Sequence, residues 1–278
     1  MRCRSFAVAC AAITLSGCAH VRVSAEAMLK PDDPPAAARL APGYAIEESS
    51  IARNGRTVAI TYAHRPGNGV VILFCGGDSF RRSREGGSVL TALARQDDVV
   101  LFDYPGYGDS TGHPEPATLL DNARAAAAYV TSRKPAEEQA RVLYGFSLGG
   151  VIAAQLAGEQ SFDGIVLEST APDVTSWAHS QIPWFAKPFV RIELAPALAR
   201  IDNVAALRSF AGRVLILAGG RDKRSPPDLS RSFARQLATA QRMVELRIFP
   251  RAVHGEIYRD PEYPIVLEKF LARLRGPR

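Results

Sequence analysis

Residues 143–150 have the sequence LYGFSLGG, and this stretch decides the fold. Gly145, Ser147 and Gly149 match the pattern G-x-S-x-G, which here follows an apolar run and precedes a helix-like segment. In such a sharp strand-to-helix turn the serine hydroxyl projects out of the sheet, and a side chain at either glycine would clash with neighbouring backbone. The helix that begins beside Ser147 directs its dipole at developing negative charge. The stretch therefore predicts a nucleophilic serine at the carboxyl end of a strand.

Outward from this turn, short apolar runs alternate with amphipathic segments. The predicted strands are 57–63, 70–74, 99–102, 141–144, 164–167, 213–218 and 243–249. The predicted helices are 87–95, 116–132, 148–159, 227–240 and 261–275. Several runs are almost wholly apolar, which is typical of strands covered on both faces. The alternation predicts an α/β fold with a mostly parallel central sheet flanked by helices.

A serine hydroxyl becomes a nucleophile when an oriented base takes its proton. Asp222 follows the next-to-last predicted strand and His254 follows the last one, in the chain order expected with a G-x-S-x-G turn. Because the carboxyl ends of parallel strands meet at one edge of a sheet, Ser147, Asp222 and His254 are predicted to form a catalytic triad. The alternatives are a turn-forming aspartate and a surface or capping histidine, and Asp173 is the fallback acid.

The tetrahedral intermediate of acyl transfer needs two backbone donors for its oxyanion. The N–H group of Leu148, directly after the nucleophile, is the first expected donor. The second is expected from the loop that follows the predicted strand 70–74, and by position it is assigned to Gly77.

Together these motifs resemble the α/β-hydrolase superfamily, and within it the small serine hydrolases of the serine-aminopeptidase-like type. Residues 101–112, LFDYPGYGDSTG, also resemble the family's D-x-R/P-G-x-G-x-S-x-G loop, which packs beside the active site. The resemblance covers roughly residues 44–275 and implies the α/β-hydrolase fold. One departure is Cys75-Gly76, where the family usually has His-Gly. That His is mainly structural, so activity is expected to survive, and Cys75 is interpreted as a buried small hydrophobe rather than a reactive thiol.

Residues 171–210 break the alternation because they contain no convincing strand. Both tryptophans of the chain, Trp177 and Trp184, lie in this segment, with Phe185 and several prolines. A long insertion of this composition predicts a short helical lid in which Trp177, Trp184 and Phe185 line a substrate pocket. A pair of ordinary packing helices is the alternative. Cationic residues around Asp222 suggest an anionic substrate or, more simply, solvated charge on a loop.

The first residues indicate export and a lipid anchor. Arg2 and Arg4 precede an apolar run, residues 6–15, that is too short to span a bilayer, as in a secretory signal. The sequence Leu-Ser-Gly-Cys at 15–18 resembles the bacterial lipoprotein signal, which implies cleavage before Cys18 and acylation of its thiol. An ordinary secretory signal is the alternative.

This interpretation divides the chain into three parts. Residues 1–17 are expected to be a lipoprotein signal peptide and residues 18–43 an Ala/Pro-rich tether. Residues 44–278 are expected to form one hydrolase domain, with its lid at roughly 171–210. The expected location is the bacterial cell envelope, on the periplasmic or outer-membrane side, with the lipid in a membrane.

Composition and charge limit the possible partners. The chain of 278 residues is 47% hydrophobic and 22% charged, as in folded globular proteins. Its net charge of +6 is spread along the chain, so no nucleic-acid partner is expected. Neither a metal-ligand cluster nor a dinucleotide fingerprint is present in the sequence, so no metal and no cofactor are expected.

The sequence thus predicts a serine hydrolase that cleaves the carboxylic ester of a small-molecule acyl substrate through an acyl-enzyme. A thioesterase or a serine aminopeptidase is the nearest enzymatic alternative. From another class, the alternative is a catalytically silent binding lipoprotein of the envelope, which only the replacement at Cys75 favours.

Overall fold

Strands and helices alternate along most of the chain. The computed structural model describes residues 19–23, 37–133, 139–239 and 243–275. Its strands are β1 (Ala19–Val23), β2 (Ala45–Arg53), β3 (Arg56–His64), β4 (Val70–Cys75), β5 (Asp98–Phe102), β6 (Ala140–Phe146), β7 (Gly164–Glu168), β8 (Val190–Leu194), β9 (Arg213–Gly219) and β10 (Val244–Phe249). Its helices are α1 (Gly86–Leu93), α2 (Pro116–Ser132), α3 (Leu148–Glu159), α4 (Val174–Ser180), α5 (Pro196–Ala199), α6 (Asn203–Ala206), α7 (Pro227–Ala238) and α8 (Tyr263–Ala272).

The central sheet has eight strands in the order β10-β9-β7-β6-β4-β5-β3-β2. Strand β3 is antiparallel to both of its neighbours, and the remaining neighbours pair in parallel. Every residue of β4, β5 and β7 is buried, because these strands are covered on both faces. The predicted α/β fold with a mostly parallel central sheet is confirmed.

Helices cover the two faces of the sheet and close two apolar cores. Residues of α2, α3 and α7, such as Ala123, Ile152 and Phe233, pack on one face. Residues of α1 and α8, such as Leu90 and Leu267, pack on the other. No helix in the described part of the chain is both long and apolar enough to cross a membrane.

The seven predicted strands and five predicted helices all occur, with ends within three residues of those expected. The parallel pairing brings the loops after β4, β6, β9 and β10 to one edge of the sheet. These are the loops that carry Gly77, Ser147, Asp222 and His254.

Strand β2 was not expected from the sequence. It alternates exposed with half-buried positions at the edge of the sheet, so it lacks the apolar signal of the central strands. It joins β3 through Asn54 and Gly55, whose φ angles of 49° and 72° suit a tight hairpin turn.

The segment predicted to be a short helical lid also contains a strand that the sequence did not predict. Residues 171–210 contain α4, α5 and α6, but they also contain strand β8. Apolar Val190, Ile192 and Leu194 alternate there with charged residues, and the strand pairs in parallel with β1, separately from the central sheet. Strand β1 lies at the start of the segment expected to be the tether, so residues 19–23 are structured here. Cys18 lies outside the described residues.

Candidate active site

Ser147 occupies the sharp turn between β6 and α3. Its backbone has φ 54° and ψ −117°, a strained conformation for a residue with a side chain. The glycines on either side allow the turn. A Cβ atom at Gly149 would lie 1.9 Å from the carbonyl oxygen of Cys75, and one at Gly145 would lie 2.5 Å from the carbonyl oxygen of Gly149. The predicted strand, turn and helix are all present around this serine.

His254 lies in the loop after β10 and faces the serine. Its Nε2 atom is 3.1 Å from Ser147 Oγ, and its Nδ1 atom is 2.8 Å from Asp222 Oδ2. The imidazole is 11% exposed, and its ring lies against that of Phe146 with 5.1 Å between the centroids. The two nitrogens are therefore held toward two different partners, one on each side of the ring.

Asp222 lies in the loop after β9, and its side chain is buried. Its Oδ1 atom accepts hydrogen bonds from the backbone N–H groups of Arg224, at 2.9 Å, and Ser225, at 2.8 Å. Its Oδ2 atom faces His254. The carboxylate thus has hydrogen-bond partners on both oxygens, which fix its orientation toward the imidazole.

Asp173, the fallback acid, has a different role. It caps the N-terminus of α4, with its carboxylate accepting from the Ser176 N–H at 2.6 Å and the Ser176 hydroxyl at 2.7 Å. Asp222, and not Asp173, is the acid that lies beside His254.

Gly77 and Leu148 flank the serine hydroxyl. A Cβ atom at Gly77 would lie 3.6 Å from the Cβ atom of Ser147, so the loop after β4 runs against the turn. Leu148 is the first residue of α3. Within the described ranges, neither of these two N–H groups donates to an acceptor in the protein. Both remain available to a ligand oxygen near Ser147.

Two tyrosines form hydrogen bonds to the backbone of the Gly77 loop. Both belong to the segment that resembles the family's D-x-R/P-G-x-G-x-S-x-G loop. The Tyr104 hydroxyl donates to the carbonyl oxygen of Gly76 at 3.1 Å, and the Tyr107 hydroxyl donates to that of Asp78 at 3.0 Å. Both tyrosines are buried. The two bonds fix the carbonyl groups on either side of Gly77, and the sequence did not identify this role.

The Cys75 side chain is fully buried at the end of β4. Burial raises the pKa of its thiol far above the ordinary range, so the thiolate is disfavoured. Its interpretation as a small core hydrophobe is confirmed.

Arg224 connects the acid loop to the lid and to the Gly77 loop. Its carbonyl oxygen accepts from Trp177 Nε1 and from Gln181 Nε2, each at 3.0 Å. Its guanidinium group pairs with Asp78 at 2.7 Å. This cation is paired within the protein, which disfavours its predicted role in binding an anionic substrate.

A small cleft of about 70 Å³ opens above Ser147, with Leu148, Val151, Val174 and Trp177 among its walls. Leu148 and Val151 also line a neighbouring apolar groove of about 220 Å³. An apolar path therefore leads away from the serine.

Only one of the three predicted pocket aromatics lines this cleft. Trp184 is 83% exposed and Phe185 is 63% exposed, and they contact each other with 6.0 Å between ring centroids. The prediction that these two line the pocket was wrong in this conformation. Pro183 follows the end of α4, and the chain there leads both rings to the surface.

Comparisons with known proteins agree with this architecture. A family model described as the alpha/beta hydrolase fold matches residues 70–193. The Pyrococcus furiosus esterase Pf2001 has a similar structure, with a TM-score of 0.69 and 18% identity over 90% of this chain and 98% of that one. The protein has the α/β-hydrolase fold.

Two further proteins are similar to this chain. The uncharacterized protein Rv2307c of Mycobacterium tuberculosis is 29% identical over 196 residues, and the match spans 70% of this chain and 65% of that protein. The Pyrococcus horikoshii acylaminoacyl peptidase has a TM-score of 0.63 at 16% identity, over 85% of this chain and 42% of that one.

The site also has a buried carboxyl group that the sequence did not identify. Glu168 ends β7, and its carbonyl oxygen accepts the backbone N–H of Ser147 at 2.9 Å. Burial raises the pKa of its side chain to about 7, although the hydrogen bond from Tyr144 and the nearby His254 act in the opposite direction. The available signal was a charged residue at the carboxyl end of an apolar run.

Across the described ranges, no three His, Cys, Asp or Glu side chains converge in a way that could hold a metal ion.

Proposed function

We propose that the protein is a serine hydrolase that cleaves a carboxylic ester through an acyl-enzyme on Ser147. The observation that carries the proposal is the continuous arrangement of Ser147 Oγ, the His254 imidazole and the Asp222 carboxylate, with distances of 3.1 Å and 2.8 Å, at a strained strand-to-helix turn. This combination matches what nucleophilic catalysis by serine requires.

The acylation step follows from the arrangement. Ser147 Oγ attacks the ester carbonyl carbon while His254 Nε2 takes the hydroxyl proton, and Asp222 stabilises the resulting imidazolium. The N–H groups of Gly77 and Leu148 donate to the oxyanion of the tetrahedral intermediate. His254 then returns the proton to the leaving alcohol oxygen as the carbon–oxygen bond of the ester breaks.

Deacylation repeats these steps with water as the nucleophile. His254 takes a proton from the attacking water, whose oxygen bonds to the acyl carbon, and then returns a proton to Ser147 Oγ as the acyl–serine bond breaks. The products are a carboxylic acid and the free serine. The apolar cleft and groove beside Leu148 and Val151 suit the acyl portion of the substrate.

The name of Pf2001 as an esterase favours ester hydrolysis. The name of the acylaminoacyl peptidase keeps amide hydrolysis as an alternative, and a thioester would use the same nucleophile. A binding lipoprotein without turnover is disfavoured, because binding alone does not require an oriented Ser-His-Asp arrangement.

A fluorophosphonate probe tests the proposal on the purified protein. Stoichiometric labelling at Ser147 that is abolished in Ser147→Ala is the expected result, because the probe reacts only with an activated serine. Ser169→Ala is the matched control, since Ser169 is another positive-φ serine at the end of the neighbouring strand and is expected to leave labelling intact. Absence of labelling in a folded wild-type protein would favour the binding lipoprotein.

The envelope location and the lipid at Cys18 belong to the same proposal. The support for both is the Leu-Ser-Gly-Cys sequence after the apolar run at residues 6–15. A protein held at a membrane by acyl chains would meet esters derived from that membrane.

A further inference from the structure

A second cavity, of about 230 Å³, lies between α1, α8 and the carboxyl edge of the sheet. Its walls include Gly77, Phe146 and Gly255, so it borders the Gly77 loop, the residue before Ser147 and the residue after His254. Six aromatic rings surround it: Phe74, Phe80, Tyr144, Phe146, Tyr258 and Tyr263.

The cavity has a buried carboxyl group in its wall. Glu168 is 7% exposed and lines this space. Its Oε2 atom accepts from the Tyr144 hydroxyl at 2.5 Å, and that hydroxyl lies 3.1 Å from the Tyr263 hydroxyl. Its Oε1 atom has no hydrogen-bond partner among the residues the structure describes. This oxygen can therefore accept a hydrogen bond from a ligand in the cavity.

The charge of the surroundings leaves the ionised form of this carboxyl poorly compensated. Asp222 raises the pKa of Glu168 and His254 lowers it, and both lie on the neighbouring loops. From the turn after α1, the Arg95 guanidinium lowers the pKa of the Tyr263 hydroxyl. The second carboxylate of the cavity wall, Glu85, pairs with Arg84 and accepts the N–H of Arg81.

These features define a ligand chemistry. Aromatic ring faces attract a cation through their quadrupoles, and a buried carboxylate provides its counter-charge. An ammonium N–H group can also donate to the free Oε1 atom, which an apolar guest cannot do. The small volume suits a short alkyl chain rather than a folded peptide.

We propose that this cavity binds a primary alkylammonium group, with Glu168 Oε1 as its acceptor. The cavity shares Gly77 with the surroundings of Ser147, so the bound amine belongs to one arm of the substrate. This inference rests on the proposed ester hydrolysis. The expected substrates are esters in which the acyl or the alcohol portion carries a primary amine.

Direct binding to Ser147→Ala tests the cavity independently of hydrolysis. The probes are butylammonium and its neutral counterpart butan-1-ol, each titrated by calorimetry at pH 8. We expect the cation to bind about tenfold more tightly than the alcohol, as hydrogen bonds to charged groups are stronger than neutral ones. Equal affinities would overturn the proposal, and fluorophosphonate labelling of the wild type would still report on the serine separately.

Two variants locate the cation in the cavity. Glu168→Gln retains an acceptor for Tyr144 and is expected to abolish the preference for the cation. Glu85→Gln removes the other carboxylate of the wall, which already has partners, and is expected to preserve the preference. An equal loss in both variants, or no loss in Glu168→Gln, would contradict the assignment to Glu168.

The pH dependence gives a readout that needs no variant at the cavity. Burial raises the pKa of Glu168 to about 7, and the cation requires the ionised carboxylate. The affinity for butylammonium is therefore expected to rise between pH 6 and pH 8, by about fivefold or more, while that for butan-1-ol does not rise. A flat profile for the cation would contradict the proposal.

Discussion

Replacing Glu168 with Gln should make the protein more stable at alkaline pH and change little in acid. Burial raises the pKa of this carboxyl from an ordinary 4.5 to about 7. The folded state therefore keeps the proton in a range where the unfolded state has lost it, and stability falls as the pH rises from about 4.5 to about 7. Gln has no proton to lose and retains an acceptor for the Tyr144 hydroxyl, so the variant lacks this dependence.

The magnitude follows from the size of the shift. The rise of the pKa from 4.5 to about 7 corresponds to about 3 kcal/mol of unfolding free energy. Most of this amount, about 2 to 3 kcal/mol, is lost between pH 5 and pH 8. Titrating groups that do not interact with Glu168, such as Asp97, whose pKa burial raises to about 6, are shared by both proteins and cancel in the difference.

Urea unfolding of the wild type and of Glu168→Gln at pH 5 and pH 8 measures this quantity. The variant should gain about 2 to 3 kcal/mol relative to the wild type between the two pH values. A difference that stays constant within about 0.5 kcal/mol would refute the reasoning, because the carboxyl would then ionise in the folded protein as easily as in the unfolded chain.

Three other substitutions test separate parts of the account. Gly149→Ala should lower the free energy of unfolding by more than about 3 kcal/mol, because its Cβ would overlap the Cys75 carbonyl oxygen. Gly69→Ala is the control, since its Cβ meets only ordinary contacts. Equal urea midpoints for the two variants would contradict this prediction. Asp222→Asn should lower kcat for an activated ester by about 10⁴-fold with little change in KM, and a loss below about tenfold would contradict its orienting role. Cys18→Ala should remove the acyl chains from the N-terminus in intact-mass spectra of membrane-extracted protein, and an unchanged acylated mass would contradict lipidation at this thiol.

The sequence was most informative where one backbone geometry requires particular residues. The turn at Ser147 needs glycine at positions 145 and 149, so its pattern predicted the strand and helix on both sides. Asp222 and His254 could be placed because parallel strands bring their carboxyl ends to one edge of the sheet. Each position depended on local sequence together with one topological rule.

Features that depend on long-range packing were not predictable in the same way. The pairing of β1 with β8 joins segments far apart in sequence, and neither has the apolar pattern of a central strand. Trp184 and Phe185 suggested a pocket by composition, but the path of the chain after α4 decided their exposure. Glu168 gained its role from a tertiary cavity that no local motif encodes.

The most direct test of the account is to trap the acyl-enzyme. The wild-type protein is mixed with 4-nitrophenyl acetate, quenched in acid within the first turnover, and analysed by intact-mass and peptide mass spectrometry. We expect one acetyl group on the peptide that contains Ser147, formed together with a burst of nitrophenol and absent in Ser147→Ala. Steady hydrolysis without a covalent adduct, or an adduct that persists in Ser147→Ala, would contradict nucleophilic catalysis by this serine.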